Sequence, residues 1–204
     1  MAFPLNLTSV LTGVTPSQLR SWRDKGLLVP EVKPKRPPLY SLRDLIALRS
    51  IARLRNEISL QKISAAFENL DVLDMAEHPS AYRFGTDGTT IFVEAPDDQG
   101  VYDILKCPGQ KDMFTFEQLA EAFENFRGDK VVDLRRPAEH IEVDFGRMGG
   151  WPTIASTRIP YDTIAQVIDG EEITVDNISD YYPAVTAEAA ADAVAFDAKV
   201  RSVA

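Results

Sequence analysis

Apolar residues at Leu7, Val10 and Leu11 recur at helical spacing and stop at Gly13. Thr15 is then a good N-cap, with Pro16 at the first position of a second short helix, so the two helices are joined by a tight turn. In that second helix Leu19 and Trp22 share a face at i and i+3, which turns Gln18, Arg20, Ser21 and Arg23 outward. The stretch from Lys33 to Tyr40 sets three cations, Lys33, Lys35 and Arg36, among three prolines between two apolar strings, a stiff basic excursion that reads as a wing. Ser41 with Asp44 three residues later opens a helix through Leu42, Leu45, Ile46, Leu48, Ile51, Ala52 and Leu54. Ser59 caps the next, with Ile63, Ala66, Phe67 and Leu70 inward.

Beyond Leu70 the texture of the sequence changes. Ala81–Phe84, Thr90–Glu94 and Val101–Leu105 are short β-type runs separated by turn signals at Asp87-Gly88 and at 97–100, the pattern of a small antiparallel meander. Thr115 to Phe126 reads as one helix, with Phe116, Leu119, Phe123 and Phe126 on a single face, and Lys130–Leu134 and His140–Phe145 are two further strands. Three helical stretches, about 161–169, 174–181 and 186–201, close the chain. The expected fold class is α+β. It comprises a winged helix-turn-helix over 1–72, a β-rich connecting region over 80–148 and a small helical domain over 149–204.

Charge divides along the same line. The 204 residues carry a net −9, but residues 1–70 carry +6 and residues 71–204 carry −15. A basic head on an acidic body suits a chain that holds an anion at one end and a different partner at the other. No apolar run approaches membrane-spanning length and no leader pattern opens the sequence, so the expectation is a cytoplasmic protein without membrane contact. A single cysteine, Cys107, excludes an internal disulfide framework, and two histidines, His78 and His140, are too few for an ordinary zinc site, so no metal or cofactor is expected. No nucleophile with a base, paired carboxylates or phosphate-cradling glycines stand out, and the chain reads as no enzyme. His140, Glu142 and Asp144 alternate along one strand; they form either the solvated face of a half-buried strand, with Ile141, Val143 and Phe145 inward, or a weak metal site.

The elements Leu11-Thr12-Gly13-Val14-Thr15-Pro16, Leu19-Arg20-Ser21-Trp22, Gly26-Leu27-Leu28 and Leu39-Tyr40-Ser41, followed by Asp44-Leu45, resemble the DNA-binding domain of the MerR family in order and spacing. The resemblance implies that the second helix enters the major groove while the wing contacts flanking phosphates. The DNA-contacting candidates are then Thr15, Gln18, Arg20, Ser21, Arg23, Lys33, Lys35, Arg36 and Tyr40. The family often has an aromatic residue where this chain has Ser21, and its long coiled-coil helix is replaced here by the β-rich region.

From Gly150 to Phe196, the elements Pro152-Thr153-Ile154, Thr157-Arg158-Ile159-Pro160, Gly170, Asp180-Tyr181-Tyr182-Pro183 and Thr186-Ala187-Glu188 resemble the domain-of-unknown-function 433 module. The family's usual glycine before Thr-Arg is Ser156 here. Such modules resemble small helix-turn-helix folds and are associated with antitoxins of PIN-like ribonucleases, so the whole chain resembles a VapB-type antitoxin. That implies operator DNA and a PIN-like ribonuclease toxin as partners, with repression of its own promoter. The partner-contacting candidates are Arg158, Tyr161, Tyr181, Tyr182, Lys199 and Arg201, the last two on a tail that orders on binding. Thr157–Pro160 also reads as a structural corner, with Arg158 pairing an acid such as Asp162. A homodimer is expected because two half-sites are usual and the apolar residues of 41–70 exceed what one helix pair buries. The competing reading is a stand-alone MerR-like regulator whose middle region senses a small molecule.

Overall fold

In the computed structural model, residues 2–72, 77–86, 88, 90–94, 101–103 and 115–203 are described. Helix α1 (Leu5–Thr12) ends where Gly13 turns left-handed at φ 73° and returns its N–H to the carbonyl of Ser9. Helix α2 (Pro16–Asp24) follows after a turn of three residues. Strand β1 (Phe3–Pro4) pairs antiparallel with β2 (Leu39–Tyr40), closing the wing against the chain start, a pairing too short to leave a period in the sequence. Helices α3 (Leu42–Leu54) and α4 (Leu60–Val72) complete the head, α3 opening on the Ser41–Asp44 capping box.

The meander expected after the head is present as a sheet in the order β3 (Arg83–Thr86), β4 (Ile91–Glu94), β5 (Val101–Asp103), antiparallel throughout. Phe84 stacks on Phe67 of α4 at 4.9 Å between ring centroids, which fastens the sheet to the head. Cys107 and the turn at 97–100 lie outside the described residues.

One expected helix is two elements. Helix α5 (Phe116–Ala120) stops at Glu121, and Phe123–Glu124 is a strand, β6, paired with β7 (Lys130–Val131). The cause is Arg49 of α3, a fully buried guanidinium whose five N–H groups are all taken by backbone carbonyls, those of Leu11, Leu119, Ala120, Glu121 and Val132. In a continuous helix the carbonyls of 119–121 would accept from residues 123–125. Arg49 donates to all three instead, with the Leu134 N–H also on Ala120 at 2.7 Å and Arg53 also on Glu121 at 3.3 Å. Burial pushes its guanidinium down to about 9, still charged at neutral pH.

Strand β8 (Ile141–Glu142) pairs with β9 (Thr153–Ile154), and α6 (Tyr161–Val167), α7 (Ile178–Tyr181) and α8 (Ala187–Ser202) follow. Each helical stretch expected in the tail is found, the first two shorter than expected and the last displaced by one residue at each end. Helix α6 packs along α8, and α8 also rests on α1. Phe3 stacks on Trp151 at 5.8 Å. Buried residues from Phe3 through Leu134 to Phe196 form one apolar cluster, so head, connecting region and tail share a core. The apolar residues of α3, among them Leu45, Leu48, Ile51 and Leu54, are buried within the single chain, which removes the surplus surface, one of the two grounds for expecting a dimer.

Candidate nucleic-acid interface

Helix α2 is locked at its start by a reciprocal cap: Thr15 Oγ1 accepts from the Gln18 N–H at 3.3 Å, and Gln18 Oε1 accepts from the Thr15 N–H at 3.0 Å. Both side chains, candidates for DNA contact, are thus engaged in positioning the helix. Leu19 and Trp22 are buried, and the opposite face presents Ser17 and Arg20, both exposed, with Ser21 half-buried. Arg23 folds onto Asp24 at 2.7 Å and is largely covered. Among the described residues Arg20 has no ion pair, and it stands free on the outer face.

The wing is held at its base. Lys33 and Leu39 exchange backbone hydrogen bonds of 3.0 and 2.8 Å, leaving Lys33, Lys35 and Arg36 exposed on the loop between them. The buried Asp44 carboxylate accepts from the N–H groups of Ser41 at 2.7 Å and Glu31 at 3.0 Å, and lies 3.0 Å from His78 Nε2. Arg43 pairs with Glu31 on the outside and holds its carboxyl below the usual range. One carboxylate therefore fixes the wing, the start of α3 and the segment after α4 together.

Tyr40 belongs to the core. It is 1% exposed, its hydroxyl is buried without a hydrogen-bond partner among the described residues, and burial pushes its pKa up to about 12 against the opposing fields of Arg23 and Arg20. It positions the wing and does not reach DNA. Nor does the head's charge all face outward: Arg49 is buried, Arg53 lies over the Phe123 ring at 4.5 Å, and Arg55 lies over Phe126 at 4.7 Å.

In the tail, Tyr161 is 3% exposed, set edge-on to Phe196 at 4.8 Å, and burial raises its pKa; it is a core residue and no surface anchor. Tyr181 is exposed at 47%, and Tyr182 is half-buried against the core. Arg158 is exposed without an ion pair among the described residues, and Asp162, the acid expected to pair with it, accepts from the Trp151 indole at 3.3 Å. Lys199 and Arg201 lie in the last turns of α8, Arg201 paired with Asp197 at 2.6 Å, so they sit on formed helix and not on a tail awaiting order. His140 meets Asp192 at 2.9 Å, while Glu142 and Asp144 both pair with Arg147. Among the described residues no three His, Cys, Asp or Glu side chains gather as a metal site, and no helix is long and apolar enough to cross a membrane.

Residues 6–70 match the profile of the MerR HTH family of regulatory proteins. Residues 141–196 match that of a protein of unknown function, DUF433. No curated protein and no solved structure matches the chain. The matched span takes in α2, β2 and α3 whole and all but the ends of α1 and α4, so it covers the helix-turn-helix, the wing and most of the following helix pair. What the sequence did not disclose is that β6 and β7 dock on the helix-turn-helix turn itself, where Asn125 donates to the Gly13 carbonyl at 3.2 Å. The one local signal was Gly128 with Asp129, turn residues standing just past Phe126.

Proposed function

We propose that the chain is a DNA-binding transcription regulator that represses its own promoter, and that it is the antitoxin of a toxin-antitoxin pair. The observation that carries the DNA reading is Arg20, free on the outer face of a capped, buried-backed helix and flanked by a wing whose three cations are all exposed. The α2 face would enter the major groove while Lys33, Lys35 and Arg36 contact phosphates, with two copies of the chain on two half-sites. The antitoxin reading is supported by the joining of a MerR-type head to a DUF433 tail, and by the exposed Tyr181 and Arg158 on that tail. Tyrosine and arginine are favoured as interface anchors. The partner would be a PIN-like ribonuclease, whose RNA-attracting cations an acidic tail can occupy; residues 149–204 hold 9 acids against 3 cations.

The test is binding to a duplex from the region upstream of the chain's own reading frame. Arg20→Ala should weaken it by about 1–3 kcal/mol. Replacing Lys33, Lys35 and Arg36 by glutamine together should lower the salt slope by up to about three units. Unchanged binding in both variants removes the groove assignment. For the antitoxin, Tyr181→Ala with Arg158→Glu should abolish protection of cells expressing an adjacent toxin-like reading frame while leaving DNA binding intact. Protection equal to that of the unaltered chain overturns the tail's role and leaves a stand-alone regulator.

A further inference from the structure

The turn between α1 and α2 forms one wall of a cleft of about 260 Å³, whose other walls are the β6–β7 hairpin and the end of α8. Thr15 at the start of α2 lines it together with Arg127, Asp129 and Lys130 of the hairpin and Lys199 of α8. The hairpin loop is rigid by construction. Asn125 Oδ1 accepts from the N–H groups of Arg127 and Asp129, both at 3.0 Å, while its Nδ2 donates to the Gly13 carbonyl at 3.2 Å. Arg127 is oriented by Asp129 through bonds of 2.7 and 3.1 Å, and the Arg127 guanidinium, then Asn125, hold the Asp129 carboxyl below its usual range. Glu124 faces Lys130 across the strand pair but forms no ion pair with it. Lys130 and Lys199 are exposed, and neither has an ion pair among the described residues.

Three cations from two segments distant in sequence are thus set beside the N-terminal end of α2, on bodies that are otherwise acidic. In a helix-turn-helix complex the recognition helix enters the groove by its N-terminal residues while the preceding helix crosses the backbone, so phosphates flank this turn. We propose that Arg127, Lys130 and Lys199 form a second phosphate-contacting ledge, besides the wing, for the duplex that α2 reads. The ledge rests on the DNA reading of α2. It gives the connecting region and the tail a direct part in DNA binding, and it assigns Lys199 to DNA in place of a protein partner.

The test uses the full chain, with a fluorescently labelled mixed-sequence duplex of about 40 base pairs, titrated from about 50 to 200 mM salt. Lys130→Gln with Lys199→Gln should lower the salt slope by about two units, whereas Lys130→Arg with Lys199→Arg should keep it. Because both side chains are exposed, the melting temperature of each variant should stay that of the unaltered chain. If Arg20→Ala weakens binding while the double glutamine variant keeps the full slope, the ledge is refuted and the α2 reading stands. If Arg20→Ala is silent, the α2 reading fails and takes the ledge with it. If the double glutamine variant instead loses toxin suppression at an unchanged slope, the cations serve a protein partner and the proposal is overturned.

Discussion

Arg49 Nη2 donates to the carbonyl of Glu121 at 2.6 Å, joining the third helix of the head to the residue at which α5 stops. Four more carbonyls complete the set, so every guanidinium N–H is used and no carboxylate shares the site. Alanine here would take the guanidinium donors from the carbonyls of Leu11, Leu119 and Val132, leave Ala120 to the Leu134 N–H and Glu121 to Arg53, and open a cavity; it should cost about 3–5 kcal/mol in urea unfolding. Lysine, with three donors on a flexible stem, should recover part of that. An Arg49→Ala variant within about 1 kcal/mol of the unaltered chain would show that the carbonyls find other donors.

This relationship also explains what the sequence could and could not show. The capping boxes at Thr15 and Ser41, the turn at Gly13 and the β-type runs of β3 and β4 are set by neighbours within a few residues, and each is read directly from them. The spacing of Phe116, Leu119, Phe123 and Phe126 is equally local, and it is compatible with a helix. The helix ends because an arginine about 70 residues away takes its carbonyls, and no window of sequence contains both.

Tyr40 offers a pH test. Its folded pKa is raised from 10.0 to about 12 by burial, so the folded chain holds that proton more tightly than the unfolded one. The associated stability is complete below pH 10 and is lost as pH rises through about 12. Tyr161, raised by the same cause, adds to the loss. Tyr40→Phe should therefore unfold less readily than the unaltered chain in alkaline buffer. At neutral pH it should be at least as stable, since the hydroxyl it removes has no partner. Equal alkaline midpoints for the two chains would contradict this.

For the candidate site, exposure was the legible part. Arg20 and the wing cations are opposite apolar positions or among prolines, and they are exposed. Residue type without tertiary context misplaces the rest: Tyr40 and Tyr161 read as contacts and are core, and a net +6 counts Arg49, which is buried, and Arg53 and Arg55, which lie over the Phe123 and Phe126 rings.

Ser156 stands at φ 62°, a left-handed conformation that a non-glycine residue adopts under strain, in the position where DUF433-like sequences usually carry glycine. Its N–H donates to Glu142 Oε1 at 2.8 Å, and Glu142 pairs with Arg147, which in turn donates to the Thr157 carbonyl at 3.0 Å. These contacts hold the turn whatever side chain it bears. Ser156→Gly should be neutral or stabilising by up to about 1 kcal/mol, and Ser156→Val should destabilise by about 1–2 kcal/mol. The reverse order in denaturant titration would mean that the serine is not strained.

Gly13 and Val131 provide a two-part test of how the hairpin fastens to the helix-turn-helix. A Cβ on Gly13 would come within 2.2 Å of Val131 Cγ2 and would also sit on a backbone at φ 73°. The backbone term is intrinsic and costs about 1–2 kcal/mol for any L side chain. The overlap costs about 1–3 kcal/mol more, and it depends on Val131. Gly13→Ala alone should show both costs. In a Val131→Ala background the overlap is relieved, so the same substitution should show the backbone cost only, a coupling of about 1 kcal/mol or more between the two positions. The Gly13→Ala variant should also bind DNA more weakly than its stability predicts, because relief of the clash displaces either the hairpin or the start of α2. Strictly additive stabilities would show that the Val131 side chain does not press on the turn, and would leave the Asn125–Gly13 hydrogen bond as the contact between the connecting region and the DNA-reading helix.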